Sequence, residues 1–311
     1  MQAILAIAFP VFALIGVGFW AGRRRVLGPG GTLALSGFVT WFALPAMLFA
    51  ALARVEIGTI VNVPFVIVYG GSMAVTFAGG MLAARFVSGA GVVHQSVHGL
   101  SAAFGNVGYM GIPLCVTGFG AAGILPATLA VCIGGGGMMS LAIILIEYGR
   151  NRGSGRGAAR RVAMAVLRSP VLQAVAAGML VGGLAIPVPG PVMRFLDLMA
   201  GAAGPCALFA IGHFMSEQGL PRRLGEVGLA TAGKMLLQPL AAWGLLQFFP
   251  AMDPMWAKSA LLLAALPSAA NCFVLAQEYD SFIEGASATI LLSTLLSVAS
   301  VSVLVVLLGM G

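Results

Sequence analysis

Charge is the scarcest commodity in this sequence. Only 8% of its 311 residues are Asp, Glu, Lys or Arg, against about 25% in an ordinary soluble domain. Hydrophobic residues make up 60%, and the mean hydropathy is +1.04. That composition excludes a soluble globular domain and defines an integral membrane protein. Basic residues outnumber acidic ones by 16 to 9, but they lie between apolar runs. Anchoring on the cytoplasmic face explains them better than nucleic-acid binding. Cys115, Cys132, Cys206 and Cys272 fall inside apolar runs without CxxC spacing, so they read as small buried hydrophobes. His94 and His98 have the i, i+4 spacing of a helical metal pair but no third ligand nearby. An interfacial polar pair is the expectation, with no metal site. His213 is read the same way. No nucleophile elbow, HExxH motif or cofactor ligand set occurs, so neither enzymatic activity nor a cofactor is expected.

What the chain does have is apolar runs of near-spanning length. They fall at roughly 3–22, 33–52, 62–84, 95–119, 124–148, 171–187, 192–215, 226–249, 256–279 and 285–309. The first is expected to be a retained helix, because Arg23, Arg24 and Arg25 follow it instead of preceding it. A Gly/Arg-rich cytoplasmic linker over 149–169 separates a five-helix repeat at 1–148 from another at 170–311. An odd number of spans per half requires the second half to run inverted. The expected fold class is therefore an all-α membrane protein of ten transmembrane helices in a 5+5 inverted repeat. With the N-terminus outside, the inner connections carry twelve Lys or Arg residues, and the outer ones only Arg54, Arg194 and Lys258. This bias puts both termini on the non-cytoplasmic side of a multi-pass protein of the inner (plasma) membrane.

Two of those runs contain sequence that a membrane helix should not tolerate. Span four carries Gly105-Asn106-Val107-Gly108-Tyr109-Met110-Gly111-Ile112-Pro113, and span nine carries Pro267-Ser268-Ala269-Ala270-Asn271. Gly111, Pro113 and Pro267 are the expected helix-breaking residues. Broken backbone survives in hydrocarbon only where protein covers it or a cavity solvates it. Spans four and nine occupy corresponding positions in the two halves, so the half-helices after the breaks bring their N-termini together. Two such ends form an anion site without a charged side chain. Substrate contact is assigned to Gly105, Asn106, Val107, Gly108, Pro267, Ser268 and Asn271. Each asparagine can touch the substrate, cap its half-helix, or do both. Neither break holds an Asp or Glu, which argues against a cation antiporter built on a midplane carboxylate pair. Lys234 is the one basic residue well inside a span. It reads either as a coupling or anion-holding charge or as a snorkelling side chain, with Gln238 beside it. Gly134–Gly137 and the Gly178/Gly182 pair suggest close helix approach.

The two breaks carry a resemblance as well. The run from Asn106 to Leu114 resembles the fourth-helix break of the auxin efflux carrier family, and Leu266-Pro267 through Asn271 to Tyr279 resembles its ninth. Gly16 and Gly18 before Arg23, and Leu44-Pro45, are similar too. The resemblance implies a crossover site shared with bile-acid-symporter-like folds. It also implies a scaffold of spans one, two, six and seven beside a mobile transport domain of spans three to five and eight to ten. Plant members have proline where Gly105 stands and often a large cytoplasmic loop, so the compact bacterial malate or malonate permease is the nearer type. The expected activity is secondary transport of a small mono- or dicarboxylate by an elevator movement. An H+ or Na+ couples it, or the membrane potential alone drives it. A cation-coupled carrier and a non-translocating ligand sensor are the alternatives. Small residues in spans two and seven (Gly37, Ala43 and Ala46; Gly201 to Gly204) suggest a homodimer built on the scaffold.

Overall fold

The computed structural model describes residues 9–28, 30–54, 62–150, 160, 164, 167–168, 170–217 and 224–309. Most of the expected 149–169 linker, as well as Arg222 and Arg223, lies outside them. The described residues are nearly all helical, with no strand longer than a single bridge. Five helices among them are long and apolar enough to cross a membrane: Gly31–Ala50, Val63–Ser88, Val107–Arg150, Gly190–Glu217 and Ile283–Leu307.

The chain begins with α1 (Phe9–Arg23) and α2 (residues 31–52), then α3 (Val63–Ser88) and α4 (Val92–Ala103). After an extended gap come α5 (residues 107–119) and α6 (residues 124–150). They are divided by a turn at Gly120, whose φ of 65° suits glycine. The turn folds α5 back on α6, and Gly123 lies so close to the Cys115 carbonyl that a Cβ there would overlap it. The second half comprises α7 (Pro170–Gly183), α8 (Gly190–Glu217), α9 (residues 224–246), α10 (Pro254–Ala264), α11 (Asn271–Glu278) and α12 (Ile283–Leu307).

Glycines set the closest crossings. In lipid there is no hydrophobic drive between apolar helices, so close backbone contact has to supply the attraction. A Cβ on Gly18 would overlap the Phe209 carbonyl, and one on Gly212 would overlap that of Ile15, so α1 and α8 meet backbone to backbone. Gly178 brings α7 against Phe49 and Leu52 of α2 in the same manner. Gly80 and Gly99 join α3 to α4, where a Cβ on Gly80 would lie 2.8 Å from the Gly99 Cα. In Gly134–Gly137 only Gly134 meets a neighbour, the Phe104 ring, and the other three face open space.

Among the described residues five π-helical turns interrupt the helices, at Val39–Ala43, Val66–Gly70, Val107–Gly111, Cys132–Met138 and Gly233–Leu237. Such turns widen the backbone locally and re-aim the side chains that follow, and they recur at functional sites. Here they gather around one region of the interior.

His98 is a difference from the sequence expectation. It is fully buried, with Nδ1 2.9 Å from the Gly80 carbonyl oxygen and Nε2 3.0 Å from that of Glu226. It braces α3, α4 and α9 together and is not an interfacial residue. His94 pairs with the Glu226 carboxylate at 2.9 Å. His213 is also buried, with Nδ1 2.6 Å from the Thr32 hydroxyl.

The crossings predict a contrast between two glycines. Gly212→Ala should destabilise by about 1–3 kcal/mol through overpacking. Gly16 has open space where a Cβ would stand, so Gly16→Ala should be neutral or gain up to about 1 kcal/mol of helix propensity. Thermal unfolding in detergent compares the two directly.

Candidate functional site

The two interruptions meet. Gly105 and Ser268 form a short antiparallel bridge. The Asn106 amide donates to the Pro267 carbonyl at 2.8 Å, and the Ala269 amide donates to the Phe104 carbonyl at 3.0 Å. Each break thus supplies one donor and one acceptor to the other. Backbone that loses its helical partners in a dry interior needs replacements, and here each interruption finds them in its counterpart.

Side chains lock the bridge from behind. The Ser268 hydroxyl donates to the Ser101 carbonyl at 2.8 Å, and the Ser268 amide donates to the Ser293 hydroxyl at 3.0 Å. This ties α4 and α12 to the bridge. Gly111 lets α5 lie against α10, because a Cβ there would sit 2.7 Å from Leu263 and 2.8 Å from Leu266. Pro113 lies inside α5, directly after the π-turn Val107–Gly111, so neither it nor Gly111 marks the gap, which falls at residues 104–106; the widened turn before it takes up the missing N–H.

In front of the bridge lies a cavity of about 280 Å³, near the small end of the ~300–1,000 Å³ usual for small-molecule sites. The sequence-assigned residues Gly105, Asn106, Val107, Gly108 and Asn271 all line it. Pro267 and Ser268 do not, and stand behind its wall. Four of the five π-turns contribute lining residues: Thr40, Tyr69, the Val107–Tyr109 segment, and Gly134 with Gly135. Sequence reasoning missed Thr40, Tyr69 and Ser140. Their one signal was polarity within apolar runs, which marks functional positions at membrane depth. Tyr109 lay inside the span-four break, but its partners on α2 were not foreseen. Its hydroxyl sits 2.8 Å from that of Thr40 and donates to the Ser36 carbonyl at 3.2 Å.

The donors at the cavity are neutral. The first-turn amides of Gly108 and Tyr109 on α5, and those of Ala270 and Asn271, find no acceptor among the described residues. The Asn106 side chain is 6% exposed, makes no capping bond, and has no hydrogen-bond partner among the described residues. Its amide is thus left for whatever fills the cavity. The buried Tyr69 hydroxyl, bordering the same space, has no partner among the described residues either. No lining residue is charged. Such a set can bind an anion through N–H groups and two helix N-termini. It offers no nucleophile paired with a base, and among the described residues no three His, Cys, Asp or Glu gather as metal ligands.

Lys234 does not snorkel. It is fully buried on the π-turn of α9, and Nζ donates to the Gln238 Oε1 at 2.5 Å and to the Ala264 carbonyl at 2.7 Å. Its ammonium stands behind Gly105, where a Cβ would meet it at 3.4 Å. Lys234 therefore caps the C-terminal end of α10, where the helix dipole is negative.

Residues 3–305 match the family described as "Membrane transport protein". The chain is 33% identical over 313 residues to a protein of Rhizobium meliloti (strain 1021) named "Putative malonate transporter", spanning 100% of this chain and 98% of that one. It is 26% identical over 299 residues to an "Uncharacterized transporter" of Methanothermobacter thermautotrophicus, spanning 93% of each.

Two substitutions should separate support from recognition. Lys234→Met leaves the Ala264 carbonyl and the buried Gln238 side chain without a donor, and should cost about 1–3 kcal/mol for each orphaned group. Asn106→Ala removes no bond within the protein and should leave the unfolding temperature almost unchanged. Thermal unfolding of the purified, substrate-free variants in detergent reads both.

Proposed function

Because the chain belongs to the auxin efflux carrier family of membrane transport proteins, we propose that it is a secondary transporter of small organic anions, holding the substrate carboxylate where its two interrupted helices meet. One observation carries this reading. Unpartnered N–H groups of both half-helices, with the free Asn106 amide, open on a single cavity that has no charged lining residue. The family match and the transporter names of both relatives support transport over an enzymatic role. The name of the Rhizobium relative makes malonate the first substrate to try.

On this reading α4–α5 and α10–α11 are two interrupted crossings, which gives ten spans in two inverted halves, 1–148 and 170–311, in the inner membrane with both termini outside. The fixed scaffold is α1, α2, α7 and α8, whose glycine crossings knit them together. The remaining helices move as the transport domain. Tyr109 on α5 and Thr40 on α2 then face each other across the sliding surface, and an elevator stroke must break their hydrogen bond. Scaffolds pair as a homodimer through α2 and α8, where Gly37 and Gly201 have open space beside them. An inside-negative potential favours anion export by about 2.3 kcal/mol per charge per 100 mV, so uptake requires a coupled H+ or Na+. Lys234 and Gln238, directly behind the bridge, are placed to sense such coupling.

Uptake of labelled malonate into proteoliposomes, under separately imposed pH, Na+ and voltage gradients, tests the reading. Saturable flux is expected, and Asn106→Ala should weaken apparent affinity about tenfold or more, the cost of one hydrogen bond to a charged group. Saturable binding without flux under any gradient would identify a ligand sensor instead.

A further inference from the structure

Four helix ends converge on the bridge. Two are C-terminal, those of α4 and α10, and each carries roughly half a negative charge; the N-terminal ends of α5 and α11 each carry roughly half a positive one. Lys234 Nζ is committed to the C-terminal side through its bond to the Ala264 carbonyl and its place behind Gly105. It serves the negative ends and not the cavity. What remains facing the cavity is the pair of N-terminal ends, together about one positive charge.

Nothing else adjoining the cavity alters that sum. Its lining comes from α2, α3, the two breaks, α5, α6, α7 and α11, and the titratable side chains among those residues are the phenols of Tyr69 and Tyr109. Glu147 on α6 is not part of the lining and accepts from the Tyr279 hydroxyl. The Asn106 amide, nine-tenths buried and without a partner among the described residues, can donate to a carboxylate or accept from a carboxylic acid equally well. A second ionised carboxylate in this apolar space would be a buried charge with no counterpart, which proteins avoid by keeping the group protonated.

We propose that the cavity accepts one unit of negative charge, so that a short dicarboxylic acid enters as its singly ionised form with the second carboxyl protonated. The proton travels on the substrate, and no side chain of the transport site has to titrate. Each molecule moved then carries one net negative charge and one transferable proton across the membrane. This rests on the reading of the cavity as a carboxylate site.

The test compares malonate with its monomethyl ester, which keeps one fixed charge and cannot ionise again. Binding of each to the purified full-length protein is measured by calorimetry from about pH 6 to about pH 8, above the ordinary range of carboxyl ionisation. Malonate affinity should fall by about tenfold per pH unit once its second carboxyl ionises, while the ester holds constant within about twofold. Malonate affinity that stays flat or improves with rising pH would overturn the proposal and leave carboxylate recognition standing. A parallel fall for both acids would place the titration on the protein and overturn it as well. Failure of both to bind at any pH would overturn the proposal together with the carboxylate reading.

Discussion

A hydrocarbon interior offers no hydrogen bonds to backbone, and this one constraint organises the molecule. A helix that stops at membrane depth exposes donors and acceptors that lipid cannot satisfy. Here two helices stop, and the interruptions satisfy each other through reciprocal bonds between Asn106 and Pro267 and between Ala269 and Phe104. Neither break is affordable alone. The bridge fixes the relative position of α4, α5, α10 and α11, and the first-turn amides of Gly108, Tyr109, Ala270 and Asn271 stay unpaired among the described residues. Those amides face the cavity, so the donors left over from a structural necessity become the recognition surface.

Support for the bridge comes from the polar residues buried around it. Ser101, Ser268 and Ser293 join α4, the second break and α12. Lys234 closes the C-terminal end of α10. The side chains of Ser268 and Lys234 are fully buried, and each donates to a carbonyl that would otherwise stand unsatisfied. The π-turns complement this. They carry Thr40, Tyr69 and Gly134 to one side of the bridge and Lys234 to the other.

Much of this was legible in the sequence, for a physical reason. Glycine, proline and asparagine clustered inside an apolar run violate helical preference, so an interruption in each run announces itself locally; the gaps fall at residues 104–106 and 265–270, while Gly111 and Pro113 lie within α5. The pairing of the two interruptions followed from their matching places in the two halves. Other features depend on tertiary neighbours that no local pattern encodes. His98 lies near the start of its span and looked interfacial, yet the close crossing of Gly80 and Gly99 draws it between α3 and α9. Lys234 was ambiguous because a four-carbon stem permits either direction. The Ala264 carbonyl, thirty residues further along the chain, accepts its hydrogen bond. The sequence assigns Asn106 to the substrate with a helix cap as the alternative, and its backbone turns at φ −77° and ψ 59° while its side chain makes no capping bond. Tyr69 and Ser140 carried only the weak signal of polarity in apolar surroundings.

The central claim is that the paired breaks hold the carboxylate. Solid-state NMR of the protein in lipid, with 13C-carboxyl malonate and selectively 15N-labelled amides, measures this contact without altering a residue. The account predicts dipolar coupling from a carboxyl carbon to the amide nitrogens of Gly108 and Ala270, at the roughly 4 Å that N–H···O contact with a carboxylate implies. Coupling instead to Lys234 Nζ, or to nitrogens outside both breaks, with none to Gly108 or Ala270, would contradict it.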